Sequence, residues 1–555
     1  MISLSEKPLL QGRLFGQGSA MLLWGCLFIV LDVLLWPESR AASLPLQMDS
    51  VIQILAQLEQ EESILQLTAP GLLLMSGSAN NFSQHLLFSG VPSPMQLKLD
   101  FLSPELQALA TSLIPHGVDS GQEHGVVLAP DGSTVAVEPL LAGLEVGLRG
   151  RRSIPISLEF IASPSEVIAA HKKEGPTLAP QVSMTLQDDG NISPDPTILP
   201  TVQTNSSTDV DNLLAVTLTK ALGVAFLPGP GTHTPKGLGP DGCWDQISAP
   251  KTFSLLYSEA PSALTVAFLH GALDGALLGD YLSRHPKPSP PLSHLLAQYY
   301  GAGVEGDPQF RSNFRRDNGA SLISQESLVQ QIEGSLLLLQ ELEPSNSQLK
   351  NLSQDQLAEV ATQAAKEFTE AFLECPAILP RCRWQAAPYR GTPKMLKLPL
   401  GFLYVHHTYE PNQPCTSFSQ CAADMRSMQR FHQDIRGWDD IGYSFVAGAD
   451  GYVYEGRGWR WVGAHTLGHN SLGFGVSIIG NYTATLPAAR VLSTVRDSLP
   501  RCALRAGYLR PDYTVQGHRQ LVRTECPGDA LYRQISTWPH FGEAKKSLKK
   551  RYRPH

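Results

Sequence analysis

The chain lacks a long hydrophobic run. Over 555 residues only Met21–Trp36 is apolar enough to meet a membrane, and Asp32 interrupts it. That stretch is shorter than the roughly 20 residues a spanning helix needs, so a polytopic membrane protein is excluded. Basic excess is missing too: 43 Lys plus Arg stand against 51 Asp plus Glu, a net charge of −8. A whole-chain nucleic-acid binder would show the opposite balance. Charged residues make up 17% and hydrophobic residues 42%, close to ordinary globular proteins, which excludes collagen-like and fully disordered chains. Internal repeats are absent as well. At about 100–200 residues per domain the length implies about three or four domains, or two larger ones.

What is present begins with a leader. The apolar stretch is followed by Ser39-Arg40-Ala41, whose small residues at −3 and −1 suit signal-peptide cleavage after Ala41. Residues 1–41 are therefore expected to be a signal peptide, with Met21 as an alternative start, and the mature protein to be secreted, soluble and without a membrane span. An uncleaved N-terminal anchor is the competing reading. Five sequons fit that compartment, at Asn81, Asn191, Asn205, Asn351 and Asn481. Of the eight cysteines, Cys26 lies in the leader. An odd number remains for an oxidising compartment, so one thiol is left over.

Residues 42–370 read as a helical, loop-interrupted region with no catalytic motif. Helices are expected over 48–67, 103–114, 324–342 and 353–374, the last opened by Ser353 and Gln356 in capping-box spacing. Pro-, Gly- and Ser-rich stretches at 173–210, 228–242 and 284–292 read as loops. From Cys375 to about residue 540 strands and helices mix, the mark of an α/β domain. Strands are expected at Phe402–Val405, at a hairpin of Tyr443–Val446 with Tyr452–Glu455, at Phe474–Ile479 and at Thr514–Gln516. Cys421, Met425, Met428, His432 and Ile435 fall on one face of a helix. Pro487–Arg505 reads as another helix that Gly507 ends, and Pro527 opens a last one carrying Leu531, Ile535 and Trp538. Residues 541–555 form a basic tail, with Lys545, Lys546, Lys549, Lys550, Arg551 and Arg553 against Glu543.

Three residues stand out for chemistry: His406 at a strand end, His518 in a Gln-Gly-His-Arg loop, and Cys526. Two His and one Cys suit Zn2+, and three protein ligands with a fourth position open to water describe a catalytic site. Cys526 precedes the expected helix start, where a partial positive charge favours a thiolate. As a metal ligand it would also account for the odd cysteine. The wide spacing is weak by itself, and ordinary histidines plus a disulfide cysteine fit it too. His407 competes with His406, because adjacent strand residues face opposite sides and both faces of this run are apolar.

The stretches VHHTYE, DIGYSFVAGADGYVYEGRGW, GAHT, GVSIIGNY, VQGHRQ and TECPGDALY closely resemble the peptidoglycan recognition protein family, which is related to zinc N-acetylmuramoyl-L-alanine amidases. The resemblance covers a little under a third of the chain, from about Cys375 to Trp538, and the long N-terminal region is similar in layout to the family's long secreted amidases. It implies a mixed sheet of about five strands with three helices, and a groove holding zinc on His406, His518 and Cys526. It also implies a catalytic Tyr443 that stabilises the oxyanion. Where the phage enzymes carry a catalytic lysine this chain has Thr524, read as a weaker hydrogen-bonding substitute. Members with serine in place of Cys526 are receptors only, so the full ligand set implies catalysis.

By the same resemblance His432, Arg436, Tyr443, His465 and Asn470 contact muramyl peptide, and Gly437-Trp438 favours diaminopimelate-type stems; Arg457 is a further candidate for the peptide's carboxylates. Cys415 pairs with Cys421 and Cys375 with Cys502, while Asp439 replaces a cysteine of a third family bridge. Cys243 and Cys382 are then expected to tie the two regions together. The implied function is hydrolysis of the amide between the lactyl group of N-acetylmuramic acid and L-alanine in bacterial peptidoglycan, an innate-immune scavenging role. Non-catalytic peptidoglycan binding is the alternative, and killing through the basic tail a third.

Overall fold

The computed structural model describes residues 47–65, 68–76, 87, 102–113, 125–152, 184–186, 192–194, 214–227, 261–285 and 290–543. The expected leader, the loop at 228–242, most of 173–210 and nearly all of the basic tail lie outside the described residues, as do Cys243, Asn81, Asn191 and Asn205. Among the described residues no helix is long and apolar enough to cross a membrane.

The N-terminal region is helical where its apolar residues recur at helical spacing. Helix α1 (Met48–Leu65) buries Val51, Ile54, Leu55 and Leu58. After α2 (Ala69–Ser76) comes α3 (Pro104–Leu113), entered through Ser103, whose hydroxyl accepts from Leu106 N–H. A tight hairpin of β1 (Val126–Leu128) and β2 (Thr134–Ala136) leads into α4 (Val137–Arg152). A second hairpin, β3 (Met184–Leu186) with β4 (Ile192–Pro194), precedes α5 (Lys220–Ala225), α6 (Pro261–Arg284) and α7 (Leu292–Tyr300). Helices α8 (Arg315–Leu322), α9 (Gln325–Leu342) and α10 (Gln354–Glu367) complete the region. The capping box of Ser353 and Gln356 forms in both directions at the start of α10, and a wider π-turn carries the helix on to Leu373. Helices α4 and α6 meet backbone to backbone. A Cβ on Gly143 would lie 2.2 Å from the Gly275 carbonyl carbon, and one on Gly147 2.4 Å from the Gly279 oxygen.

The apolar core running from Met48 to Leu373 is separate from those of the C-terminal region. There a six-stranded sheet has the order β10-β6-β9-β7-β8-β5. Its strands are β5 (Ile378–Leu379), β6 (Leu400–His407), β7 (Phe445–Ala447), β8 (Val453–Glu455), β9 (Gly473–Ile478) and β10 (Leu509–Gly517). Only β7 and β8 pair antiparallel; the other pairs are parallel. The sixth strand beyond the expected five or so is the two-residue edge β5. Every residue of β9 is buried, as expected of a strand covered on both faces.

Helix α11 (Phe418–Arg430) follows β6 and widens into a π-turn over Phe431–Ile435. The wider turn breaks the expected phase. Cys421, Met425, Met428 and His432 are buried, but Ile435 is 73% exposed. The expected single helix over Pro487–Arg505 is α12 (Ala489–Ser493) joined by a π-turn to α13 (Leu499–Arg505), with Gly507 at φ +70 behind it. The last helix, α14, spans Asp529–Ile535 and buries Leu531 and Ile535. It does not start at Pro527. Gly528 sits at its N-cap with φ +90, so close to Tyr482 that a Cβ would lie 2.4 Å from the Tyr482 carbonyl carbon. Cys526 is therefore not at a helix N-terminus.

The two regions pack together across a buried polar network. Arg315 donates to both carboxylate oxygens of Asp274, to Asp131 and to the Ser133 hydroxyl. Tyr299 and Tyr300 donate to Asp274, and from the C-terminal hairpin Tyr452 donates to Asp131 at 2.7 Å. Arg311 reaches the Asp450 carbonyl, and the Arg490 guanidinium lies 4.1 Å from the Phe314 ring centroid. Disulfides join Cys375 to Cys502 and Cys415 to Cys421. Cys382 is also disulfide-bonded, while its expected partner Cys243 falls outside the described residues.

Candidate metal centre

Parallel pairing of β10 with β6 places Gly517 opposite Val405. The residues just beyond, His406 on β6 and His518 after β10, therefore meet at the carboxyl ends of adjacent strands, where open α/β sheets form their sites. Their ring centroids are 4.4 Å apart. Cys526 closes the cluster, with its Sγ 3.7 Å from His406 Nδ1. One donor atom from each of His406, His518 and Cys526 lies within 4.8 Å of the others. His407 faces elsewhere: its Nδ1 accepts from Tyr482 N–H, and its carbonyl receives the Cys526 thiol.

The donor set fits zinc in kind and number. Nδ1 of His518 is buried and has no partner among the described residues, the kind of nitrogen that a cation would satisfy. Burial, then the neighbouring His518, His465 and His407, hold the His406 imidazole well below its ordinary range. Burial lowers His518 to about 4, so both rings offer lone pairs at neutral pH. Burial pushes the Cys526 thiol up to about 12, against the His407 carbonyl and Arg519. The thiolate needs a cation beside it. Thr524 Oγ1 accepts from Cys526 N–H, which holds the ligand loop from the side of the expected catalytic substitute.

A ladder of rings leads away from this cluster. Tyr443, part-buried, has its ring centroid 5.3 Å from that of His406 and 5.8 Å from that of His432. His432 stacks on Trp438 at 4.7 Å, and the Arg436 guanidinium lies 5.3 Å from the Trp438 centroid. Gly437 has φ +67 and open space around its Cα. Burial raises the Tyr443 phenol above its ordinary value, with the Cys526 charge adding to it, so the phenol keeps its proton. His432 Nδ1 accepts from Gly442 N–H, and burial with Arg436 and Arg457 lowers this imidazole to about 4.

Two expected peptide contacts have other work in the fold. Asn470 Oδ1 accepts from both His465 and Thr466 N–H, which pins the loop beside His406. Arg457 is buried and donates to the carbonyls of Ile441 and Val462. Thr466, part of the GAHT motif, was not singled out from the sequence; its hydroxyl lies 3.4 Å from His406 Nε2. Adjacency to His465 in that motif was the available signal. Of the described sequons Asn351 is exposed, and Asn481 is half-buried with its Oδ1 accepting from Thr483.

Residues 397–529 match the family described as N-acetylmuramoyl-L-alanine amidase. The chain is 58% identical to the N-acetylmuramoyl-L-alanine amidase of Mus musculus, over 94% of this chain and 99% of that one. It is also 58% identical to the Homo sapiens protein of the same name, over 93% and 94%. Among solved structures, peptidoglycan recognition protein-LE in complex with tracheal cytotoxin is 41% identical, covering 30% of this chain and 96% of that one, at a TM-score of 0.29.

Proposed function

The chain belongs to the N-acetylmuramoyl-L-alanine amidase family, and with that activity as the premise we propose that it works through zinc held by His406, His518 and Cys526. The observation that carries this reading is the convergence of three donor atoms within 4.8 Å, one histidine nitrogen among them buried without a protein partner. Bound zinc supplies the Lewis acidity that makes a water nucleophilic near neutral pH.

The remaining steps belong to the chain's own groups. The scissile amide joins the lactyl carbonyl of N-acetylmuramic acid to L-alanine. Tyr443 keeps its proton and donates a hydrogen bond to the oxygen that becomes negative as the carbonyl is attacked. Thr524 holds the Cys526 backbone in place. The stack of His432, Trp438 and Arg436 forms a wall for the muramyl peptide, with Arg436 meeting a stem-peptide carboxylate. His465 and Asn470 border the same groove, and Gly437-Trp438 favours diaminopimelate-type stems. The protein acts outside the cell after its leader is removed, on bacterial peptidoglycan and muramyl peptides, as an innate-immune scavenger.

Replacing Cys526 by serine tests the reading. The expected variant folds, holds no stoichiometric zinc, still binds muramyl peptide and no longer cleaves it. Cleavage at the wild-type rate by a zinc-free Cys526→Ser protein would sink the proposal.

A further inference from the structure

We propose that Thr466 is the positioning residue of the metal centre: its hydroxyl accepts the Nε2–H of His406 and donates its own proton to His465 Nδ1, so that committing His406 Nδ1 to the cation fixes His465 as an Nε2–H donor. This rests on the zinc reading above. His406 Nδ1 is the nitrogen that faces Cys526 Sγ, at 3.7 Å, which makes it the ligand atom. A ligating imidazole is neutral and carries its proton on the other nitrogen, whose hydrogen-bond partner sets the ring orientation. That nitrogen, Nε2, faces Thr466 Oγ1 at 3.4 Å. A threonine hydroxyl has one proton to give, and the second imidazole within its reach is His465, through Nδ1 at 3.1 Å. The direction of every hydrogen bond in the chain follows from the first.

The surroundings hold this chain in place. Thr466 is fully buried, so its influence on the reaction passes through the two imidazoles and not through substrate. Its backbone N–H donates to Asn470 Oδ1 at 2.7 Å, beside that of His465 at 2.9 Å. The His465 ring lies against two glycines: a Cβ on Gly475 would come within 2.2 Å of its Cγ, and one on Gly463 within 2.4 Å of its Cδ2. The far end of these bonds, His465 Nε2, is buried and has no partner among the described residues. The chain of bonds leaves the proton on that nitrogen, beside Gly463.

The test uses the full secreted chain as wild type, Thr466→Val and Thr466→Ser. Zinc affinity is measured by competition with a chromophoric chelator, and imidazole tautomers by nitrogen-15 NMR of histidine-labelled, zinc-loaded protein. The valine variant is expected to bind zinc about 10–100-fold more weakly, while serine, which keeps the hydroxyl, stays near wild type. Wild-type His465 is expected to carry its proton on Nε2. Should the valine variant fail to fold, the serine variant and the wild-type tautomer still decide. Wild-type zinc affinity in a folded valine variant, or a proton on His465 Nδ1 in the wild type, would overturn the proposal alone. A wild-type protein that binds no zinc would overturn the metal reading along with it.

Discussion

Two buried polar clusters of this chain, the network around Arg315 and the histidine cluster at the ends of β6 and β10, are satisfied in opposite ways. In the N-terminal region Arg315, Asp131 and Asp274 form a closed network in which tyrosines and Ser133 take up the remaining oxygens. At the histidine cluster His406 ends β6 and His518 follows β10, and among the described residues His518 Nδ1 and His465 Nε2 have no partner. Buried polar groups in folded proteins are almost always paired. The closed network is therefore a structural device, and the ring nitrogen left over beside His406 and Cys526 is one a cation fits. The contrast sets the His406, His518 and Cys526 cluster apart from the Arg315 network, which has a docking role because Tyr452 of the C-terminal hairpin completes it.

The largest effect expected from breaking this contrast is on the closed side. Arg315→Met strands two buried carboxylates, and removing one partner of a buried pair costs about 3–5 kcal/mol. Chemical denaturation should show that loss for the whole protein, with contact to the C-terminal hairpin weakened; an unchanged midpoint would mean that the network is dispensable. On the open side, Tyr443→Phe removes the hydrogen bond proposed for the developing oxyanion and should lower kcat by about 10²–10³-fold with zinc content intact. Steady-state kinetics beside metal analysis separates this from loss of the centre. Gly275→Ala forces a Cβ to within 2.5 Å of the Pro139 carbonyl oxygen where α4 and α6 touch. Overpacking of that kind costs about 1–3 kcal/mol, readable as a lowered Tm.

Acid sharpens the comparison with the smallest effect per group. Burial is the main cause lowering His406, His407, His432, His465 and His518, the last four to between about 3 and about 4. In the unfolded chain these imidazoles take protons near their ordinary value of about 6.5. Between there and about pH 4 the unfolded state of the zinc-free protein binds more protons, so stability falls as pH drops, by about 1.4 kcal/mol per pH unit for each proton. The N-terminal region responds later. Burial alone would raise the Asp131 carboxyl, but Arg315, Ser133 and Tyr452 carry it down to about 2. Its contribution is present above about pH 4 and is lost only towards pH 2. Among the described residues of the N-terminal region His270 is an imidazole of the same kind, held well below its usual range by burial and by Arg315 and Arg316. Hydrogen exchange on the chelated protein between pH 7 and 4.5 should show the β6–β10 edge loosening before α4 and α6. The reverse order would refute this account of the histidines.

Much of the site was legible in the sequence because its signals are local. The apolar run ending in His406 and His407, the hairpin around Ala-Asp-Gly and the capping box at Ser353 each depend on a few neighbouring residues, and each forms as expected. The two assigned disulfides followed from motif resemblance. What escaped was set by distant partners. Ile435 lost its place on the helix face because a π-turn shifts the phase. Helix α14 starts late because Gly528 must pass against Tyr482, which no local pattern announces. Asp131 and Arg315 meet from 184 positions apart, and Thr466 meets His406 from 60 positions away.

The central claim is that the open histidine centre cuts, and that it needs its metal to do so. Purified protein should be given a defined muramyl-tripeptide, with mass spectrometry following free tripeptide before chelation, after chelation and after zinc is restored. Release that stops on chelation and returns with zinc is the result predicted. Release that continues unchanged in the chelated, zinc-free protein would contradict it.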